Sequence, residues 1–158
     1  MIPEALLPNI SNFTFQRLEL SNNSLNIFAK ITEQFSCCPL CEKPSQKTHS
    51  TYNRHLADLP WAGFVVKVIL KVHKFFCLDD NCSRRIFTQR LKGLPIYARR
   101  TERQANQLLA IGMTAGGNPG AKLSAKLGMP TSASTLLRLL NAQPIEDYET
   151  PRACIRSR

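Results

Sequence analysis

Long apolar runs are missing from this sequence, and acidic residues are few. No stretch approaches the roughly 20 apolar residues that a membrane-spanning helix requires, so a membrane protein is not expected. The opening segment, MIPEALLPNISNF, lacks the basic start and long apolar segment of a secretory signal peptide. We therefore expect a cytoplasmic protein, in a reducing compartment where clustered cysteines are more often metal ligands or redox groups than disulfides.

The shortage of acidic residues leaves the chain strongly basic. Its 158 residues carry 21 Lys and Arg against 11 Asp and Glu, a formal net charge of +10. Between Cys37 and Asn141 there are 16 basic and 5 acidic side chains, so the excess lies in the middle of the chain. A field of this sign favours a polyanion, either nucleic acid or an anionic membrane surface. The competing interpretation is a basic surface that only keeps the protein in solution.

The first half of the chain reads as β-structure. Residues 13–32 predict two strands around the polar turn SNNS, because Leu25, Ile27, Ala29 and Ile31 alternate with polar neighbours. The segment HSTYNRHLADLPW predicts a short strand closed by Pro60. The segment FVVKVILKVHKFF, residues 64–76, is rich in β-branched and aromatic residues and predicts a strand that leads directly into a cysteine.

After Pro95 the pattern becomes helical. In YARRTERQANQLLAIGM, five small or apolar residues recur at helical spacing and should face the core. They are Ala105, Leu108, Leu109, Gly112 and Met113. A second helix, GAKLSAKL, has Pro119 in its first turn and Gly128 as its stop. A third helix, STLLRLLN, should place three leucines inward, namely Leu136, Leu137 and Leu140.

We therefore predict an α+β fold with four parts. They are an N-terminal β-hairpin (1–36), a four-cysteine zinc-ribbon-like β module (37–94), a three-helix helix-turn-helix module (95–141) and a disordered or truncated tail (142–158).

Two short cysteine pairs predict a metal site. Cys38 and Cys41 are separated by two residues, and Cys77 and Cys82 by four. A tetrahedral zinc site takes four thiolates from two such knuckles. The alternatives are a redox pair, which requires a βαβ context, and unligated core cysteines. Cys37 fits less well than Cys38 as a partner of Cys41, and Cys154 is expected to be a free thiol.

One structural Zn²⁺ is therefore the expected cofactor, with His49 and His73 as weaker candidate ligands. Four protein ligands leave no open position for a reacting water, so metal catalysis is not expected at this site.

The basic residues near the helices are candidate DNA contacts. In a helix-turn-helix the last helix enters the major groove and the preceding helix braces against the backbone. A basic stretch with Phe87 and Tyr97 interleaved connects the cysteines to the helices and also contains Lys92. The candidates are Arg84, Arg85, Arg90, Arg99, Arg100, Lys122, Lys126, Ser132, Thr135 and Arg138. The competing interpretation is an ordinary three-helix bundle whose cations are only solvated.

Several of these segments together resemble the N-terminal part of ISL-three family insertion-sequence transposases. The resemblance extends from about residue 13 to 141 and lies in the segments CPLC, RHLADLPWAG, FFCLDDNCSRRIFTQRLKGL, YARRT and LGMPTSASTLLRLL. It implies that Cys38, Cys41, Cys77 and Cys82 hold zinc, and that the helices at 119–140 bind the terminal inverted repeats of the element.

The resemblance also implies a catalytic domain with three metal-binding carboxylates after the helices. Since the chain ends 18 residues after Leu140, we expect a truncated transposase without that domain and without enzymatic activity. Its partners would be double-stranded DNA at the element ends, in the nucleoid, and a full-length transposase or a second copy of itself. The alternative is a stand-alone zinc-ribbon regulator or a protein or RNA interaction module.

Overall fold

The computed structural model describes residues 12–91 and 93–144. Within them the α+β prediction is confirmed, since seven strands are followed by three helices. Lys92, Cys154 and all of the predicted tail beyond residue 144 lie outside the described residues.

The strands are β1 (Phe13–Ser21), β2 (Ser24–Ile31), β3 (Ser36–Cys37), β4 (Pro44–Ser45), β5 (Thr48–Trp61), β6 (Phe64–Phe76) and β7 (Ile86–Thr88). The helices are α1 (Glu102–Ala115), α2 (Gly117–Lys126) and α3 (Ala133–Asn141).

The larger sheet has the strand order β1-β2-β6-β5. β1 and β2 form the predicted antiparallel hairpin, and β5 pairs antiparallel with β6. β2 and β6 run parallel, so the hairpin and the strand that leads into Cys77 belong to one sheet. β7 pairs with the last residues of β6, and β3 and β4 form a separate two-stranded ribbon around the first cysteine pair.

One face of the sheet carries the main core. Because successive side chains of a strand point to opposite faces, the alternating apolar residues of β2 and β6 all lie on this inner face. They are Leu25, Ile27, Ala29, Ile31, Val66, Val68, Leu70 and Val72, and each is buried. Leu94, from the segment after β7, covers them.

β5 differs from its prediction. It runs through Pro60 to Trp61 and is therefore a long strand. Proline lacks the N–H that a central strand must donate, but here it lies in an irregular part of the β5–β6 ladder, between Asp58 and Trp61, on a strand at the edge of the sheet order.

The three helices pack around a second core of Leu108, Met129 and Leu136. The predicted inward orientation is wrong for two residues, since Met113 is 73% exposed and Leu137 is 48% exposed. The polar Gln104 is buried at 3% exposure, because its side chain donates to the backbone oxygen of Asp58 at 2.9 Å. None of the helices in residues 12–144, apart from the undescribed position 92, is long and apolar enough to cross a membrane.

Candidate metal centre and basic groove

Two tight loops present the four cysteines. In the first loop, between β3 and β4, the Cys38 amide donates to the Lys43 oxygen at 3.0 Å and the Glu42 amide donates to the Cys38 oxygen at 2.9 Å. In the second loop, the Cys77 amide donates to the Arg85 oxygen at 2.8 Å and the Cys82 amide to the Asp79 oxygen at 3.1 Å. These backbone bonds close each pair into a short loop.

The loops bring the four sulfur atoms to metal-binding distance. All four Sγ atoms lie within 4.8 Å of one another. Cys38 Sγ is 3.9 Å from Cys82 Sγ, and Cys41 Sγ is 3.5 Å from Cys77 Sγ. Tetrahedral zinc with Zn–S bonds of about 2.3 Å separates its sulfurs by about 3.8 Å. The predicted ligand geometry for one structural Zn²⁺ is confirmed.

The surroundings of the sulfurs suit a closed site. Cys38 is 1% exposed and Cys82 is 8% exposed, and both pack against the buried rings of Phe75 and Phe87. Lys43 bridges the two loops by an ion pair of 3.0 Å with Asp79. Phe87 was predicted among the aromatic residues of the basic stretch, but the structure buries it against the cysteines instead.

The thiols of the cluster have unequal proton affinities. Burial opposes ionisation of Cys38, but the backbone N–H groups of Cys41 and Leu40 together outweigh it and lower its pKa to about 6. The backbone N–H of Lys43 favours a Cys41 thiolate, yet burial and the sulfur of Cys77 outweigh it and raise the Cys41 pKa to about 12. Binding of zinc by four thiolates would require the protonated thiols to release their protons.

The weaker ligand candidates are not part of this cluster. Cys37 is exposed, and neither His49 nor His73 belongs to the four-residue group. Among residues 12–91 and 93–144, the four cysteines form the one group of three or more His, Cys, Asp or Glu side chains placed to share a metal ion.

A broad groove runs between the zinc loops, the inner face of the sheet and α3. Six of the predicted DNA-contact residues line it: Arg84, Arg90, Arg99, Arg100, Thr135 and Arg138. Arg85, Lys122, Lys126 and Ser132 do not. The Ser132 hydroxyl instead caps α3, accepting from the Thr135 amide at 3.2 Å.

The groove carries a concentrated positive charge. Its lining includes seven cations and one carboxylate, Glu102. Two of the cations, Arg54 and Lys74, were not predicted, because strand alternation assigns a residue to a face of the sheet but does not show what that face borders. Arg54 donates to the Pro95 and Ala98 oxygens at 2.7 and 3.3 Å, while Lys74 lies over the Tyr52 ring.

Arg100 and Arg138 bring two like charges together in the groove. Burial and the nearby Arg138 lower the Arg100 pKa. The Nη1 atom of Arg100 is buried and has no hydrogen-bond partner. Tyr97, on the rim, is 90% exposed. A bound anion would neutralise the repulsion between the two guanidinium groups.

Residues 34–82 match a family model described as the zinc-finger of transposase IS204/IS1001/IS1096/IS1165. The matched segment contains all four sulfur ligands. No curated protein and no solved structure gave a significant match. The family match and the four-cysteine geometry together indicate a zinc-binding, transposase-related module with DNA as its expected class of partner.

Proposed function

We propose that this chain is the DNA-binding portion of an insertion-sequence transposase and that it recognises the terminal inverted repeats of its element as double-stranded DNA. One observation carries the proposal. A single groove collects cations from the zinc loops (Arg84), the connecting segment (Arg99 and Arg100) and the last helix (Arg138).

The size of the groove argues for a macromolecule. It encloses about 1900 Å³, whereas small-molecule sites usually enclose about 300–1,000 Å³. Cations on several walls suit the phosphates of a duplex, which supply most of the affinity in protein–DNA complexes. The structural zinc then has a mechanical role, since it holds Arg84 and its neighbours in position relative to α3.

Base recognition falls to the exposed side of α3. Thr135 and Arg138 are one turn apart and both face the groove, so they can reach base edges together. Ser132 and the Thr135 hydroxyl are 2.9 Å apart, which positions the first turn of the helix. Lys122 and Lys126 are exposed on α2 outside the groove, where they would contact the flanking backbone, as expected for the bracing helix.

The proposed domain boundaries match these roles. In this proposal residues 37–94 supply the zinc module and 95–141 supply the helix-turn-helix, while the described part of 1–36 adds β1 and β2 to the sheet. We assign no catalytic step to these residues, because a zinc ion with four sulfur ligands has no open position for a substrate.

The experiment compares duplexes by fluorescence anisotropy. One labelled duplex carries the inverted repeat that flanks the coding sequence, and the other carries the same bases scrambled. We expect the repeat to bind at least about 100-fold more tightly at physiological salt, with affinity falling steeply as salt rises. Equal affinity for both duplexes, or equal binding to single-stranded RNA of the same sequence, would favour the alternative of a stand-alone zinc-ribbon module.

A further inference from the structure

The outer face of the sheet carries a second group of cations. Strand alternation places it on the side opposite the core, and therefore opposite the groove-lining residues Tyr52 and Arg54 of β5. The outer face consists here of Arg17, Lys30, His55, Lys67, Lys71 and His73. Lys30, Lys67 and Lys71 are all exposed.

The register puts like charges next to each other. Lys30 lies directly opposite Lys71 in the β2–β6 ladder, and like charges in that position destabilise a sheet. Lys67 lies four residues along the same strand, about 13 Å from Lys71. The two lysines are far enough apart to meet different phosphates of one duplex, since each strand carries one charge per about 3.4 Å of helix axis.

Opposite charge on this face is scarce. Among the described residues whose register places them on the outer face, the one carboxylate is Glu19, and it is already 2.5 Å from the Arg17 guanidinium. The Arg17 guanidinium also lies 4.0 Å above the Phe28 ring. Among these residues, the lysine group therefore shares its face with one carboxylate, which is already paired with Arg17.

His73 lies on the same positively charged face. Both of its ring nitrogens are buried without a hydrogen-bond partner. Lys71 is two residues away on the same strand face and Lys30 pairs with Lys71. Burial and the charges of these two lysines lower the pKa of His73. The ring therefore stays neutral beneath two exposed cations.

We infer that the outer face binds a second DNA duplex through its phosphates, so that one chain can hold two duplexes at once. The inference rests on the proposed function, which places the first duplex in the groove. A straight duplex lying in the groove does not reach the opposite face of the same sheet. The lysines contact phosphates as point charges, so binding on this face is expected to be independent of sequence and sensitive to salt.

A capture experiment with the full, zinc-loaded chain tests this inference. A biotinylated duplex carrying the inverted repeat is immobilised, protein is added, and capture of a second, fluorescent duplex of random sequence is measured at low salt. We expect wild-type protein to capture the second duplex. The variant Lys30→Gln/Lys71→Gln should reduce that capture at least fivefold, while its anisotropy affinity for the first duplex stays within twofold of wild type.

The matched control removes the same charge from the groove. Arg99→Gln/Arg138→Gln should weaken affinity for the first duplex at least tenfold. Both double variants should retain the wild-type melting temperature within a few degrees, because the substituted side chains are exposed. Protection of Lys30 and Lys71 from acetylation, measured by mass spectrometry when the second duplex is added, gives an independent readout.

The failures are distinguishable. If wild-type protein binds no duplex, the proposed function itself is wrong. If it binds one duplex but captures no second duplex, or if the lysine variant captures as much as wild type, only the inference about the outer face is overturned. Capture that depends on Arg99 and Arg138 alone would mean that two copies bridge the duplexes through their grooves, which also overturns it.

Discussion

Asp58 and Arg103 form a buried ion pair that joins the edge strand β5 to the first turn of α1. Asp58 has no exposed surface. Its Oδ1 atom accepts from the Arg103 Nε at 2.7 Å, the Thr101 hydroxyl at 2.6 Å and the Leu59 amide at 2.8 Å. Because Thr101 also caps α1, one carboxylate links strand β5 to the start of α1, beside the groove-lining residues Thr101 and Glu102.

Removing the charge of Asp58 should destabilise the fold strongly. Asp58→Asn leaves the Arg103 guanidinium partly buried and without its anion, and breaking one partner of a buried pair costs about 3–5 kcal/mol. We expect the free energy of unfolding in urea to fall by about 3 kcal/mol. The control is Asp80→Asn, the same chemical change at an exposed position, which should change it by less than about 0.5 kcal/mol. A loss below about 1 kcal/mol for Asp58→Asn would mean that the pair does not fasten the helices.

Local patterns predicted β1, β2 and β6, but they predicted neither the short strands β3, β4 and β7 nor this junction. Strand β6 runs from Phe64 to Phe76, as its β-branched sequence predicted. The role of Asp58 depends on partners more than 40 residues away, and a single aspartate in a strand does not indicate whether its partner is water or Arg103. The same limit explains why strand β5 was predicted too short, since tolerance of Pro60 depends on its place at the edge of the sheet.

Removing zinc should unfold the cysteine module. The metal-binding energy of structural sites is about 10–16 kcal/mol and is available only to the folded chain. We expect one zinc per chain by elemental analysis, and we expect Cys41→Ser or a strong chelator to lower the melting temperature and abolish the strand signal of the region. Cys37→Ser is the matched control, since Cys37 is exposed and outside the cluster. Unchanged melting after verified metal removal would contradict the prediction.

Zinc affinity should rise with pH. The thiol of Cys38, with a pKa of about 6, is already ionised at neutral pH, whereas the raised pKa values of Cys41 and Cys77 keep those thiols protonated. Zinc binding must therefore release at least the protons of Cys41 and Cys77. As pH falls through about 6, Cys38 also becomes protonated and its contribution to metal binding is lost.

Calorimetry checks this prediction. Zinc titrations at pH 7 in buffers with different ionisation enthalpies should give at least about two protons released per zinc. The apparent affinity should increase steadily from pH 6 to pH 8. An affinity that does not depend on pH in this range would exclude thiols as the ligands.

The sequence alone indicated the four metal ligands, but it did not indicate which cations line the groove. Spacing alone favoured Cys38 over Cys37, because two intervening residues let one turn present both sulfurs. Which cations share a surface depends on how the helices lie against the sheet. Lys122 and Arg138 are equally good candidates in sequence, and only the fold places Arg138 in the groove.

The groove predicts an order among the basic residues. Arg100→Gln should weaken duplex affinity about tenfold and reduce the salt slope by about 1, as expected for losing one phosphate contact. Lys47→Gln, which removes one exposed charge outside the groove and at a position with no proposed DNA contact, should weaken it less than about threefold. Anisotropy titrations between 50 and 200 mM salt measure both quantities. Equal losses for the two variants would show that net charge, and not the groove, determines affinity.

The packing of α2 against α3 gives a prediction that does not depend on metal or DNA. A Cβ atom at Gly120 would lie 2.9 Å from the Leu136 Cδ1 atom, and Leu136 is fully buried between the helices. The forced shift of that leucine should cost about 1–3 kcal/mol, and the helix preference of alanine returns about 1 kcal/mol. Gly120→Ala should therefore lower the free energy of unfolding by up to about 2 kcal/mol. At Gly117, by contrast, an added Cβ would meet the nearest Leu137 atom at 3.5 Å, an ordinary contact. Gly117→Ala should be neutral or slightly stabilising, because alanine favours the helix. Thermal melts of both variants decide the matter, since equal stability would mean that α2 and α3 are packed more loosely than the structure shows.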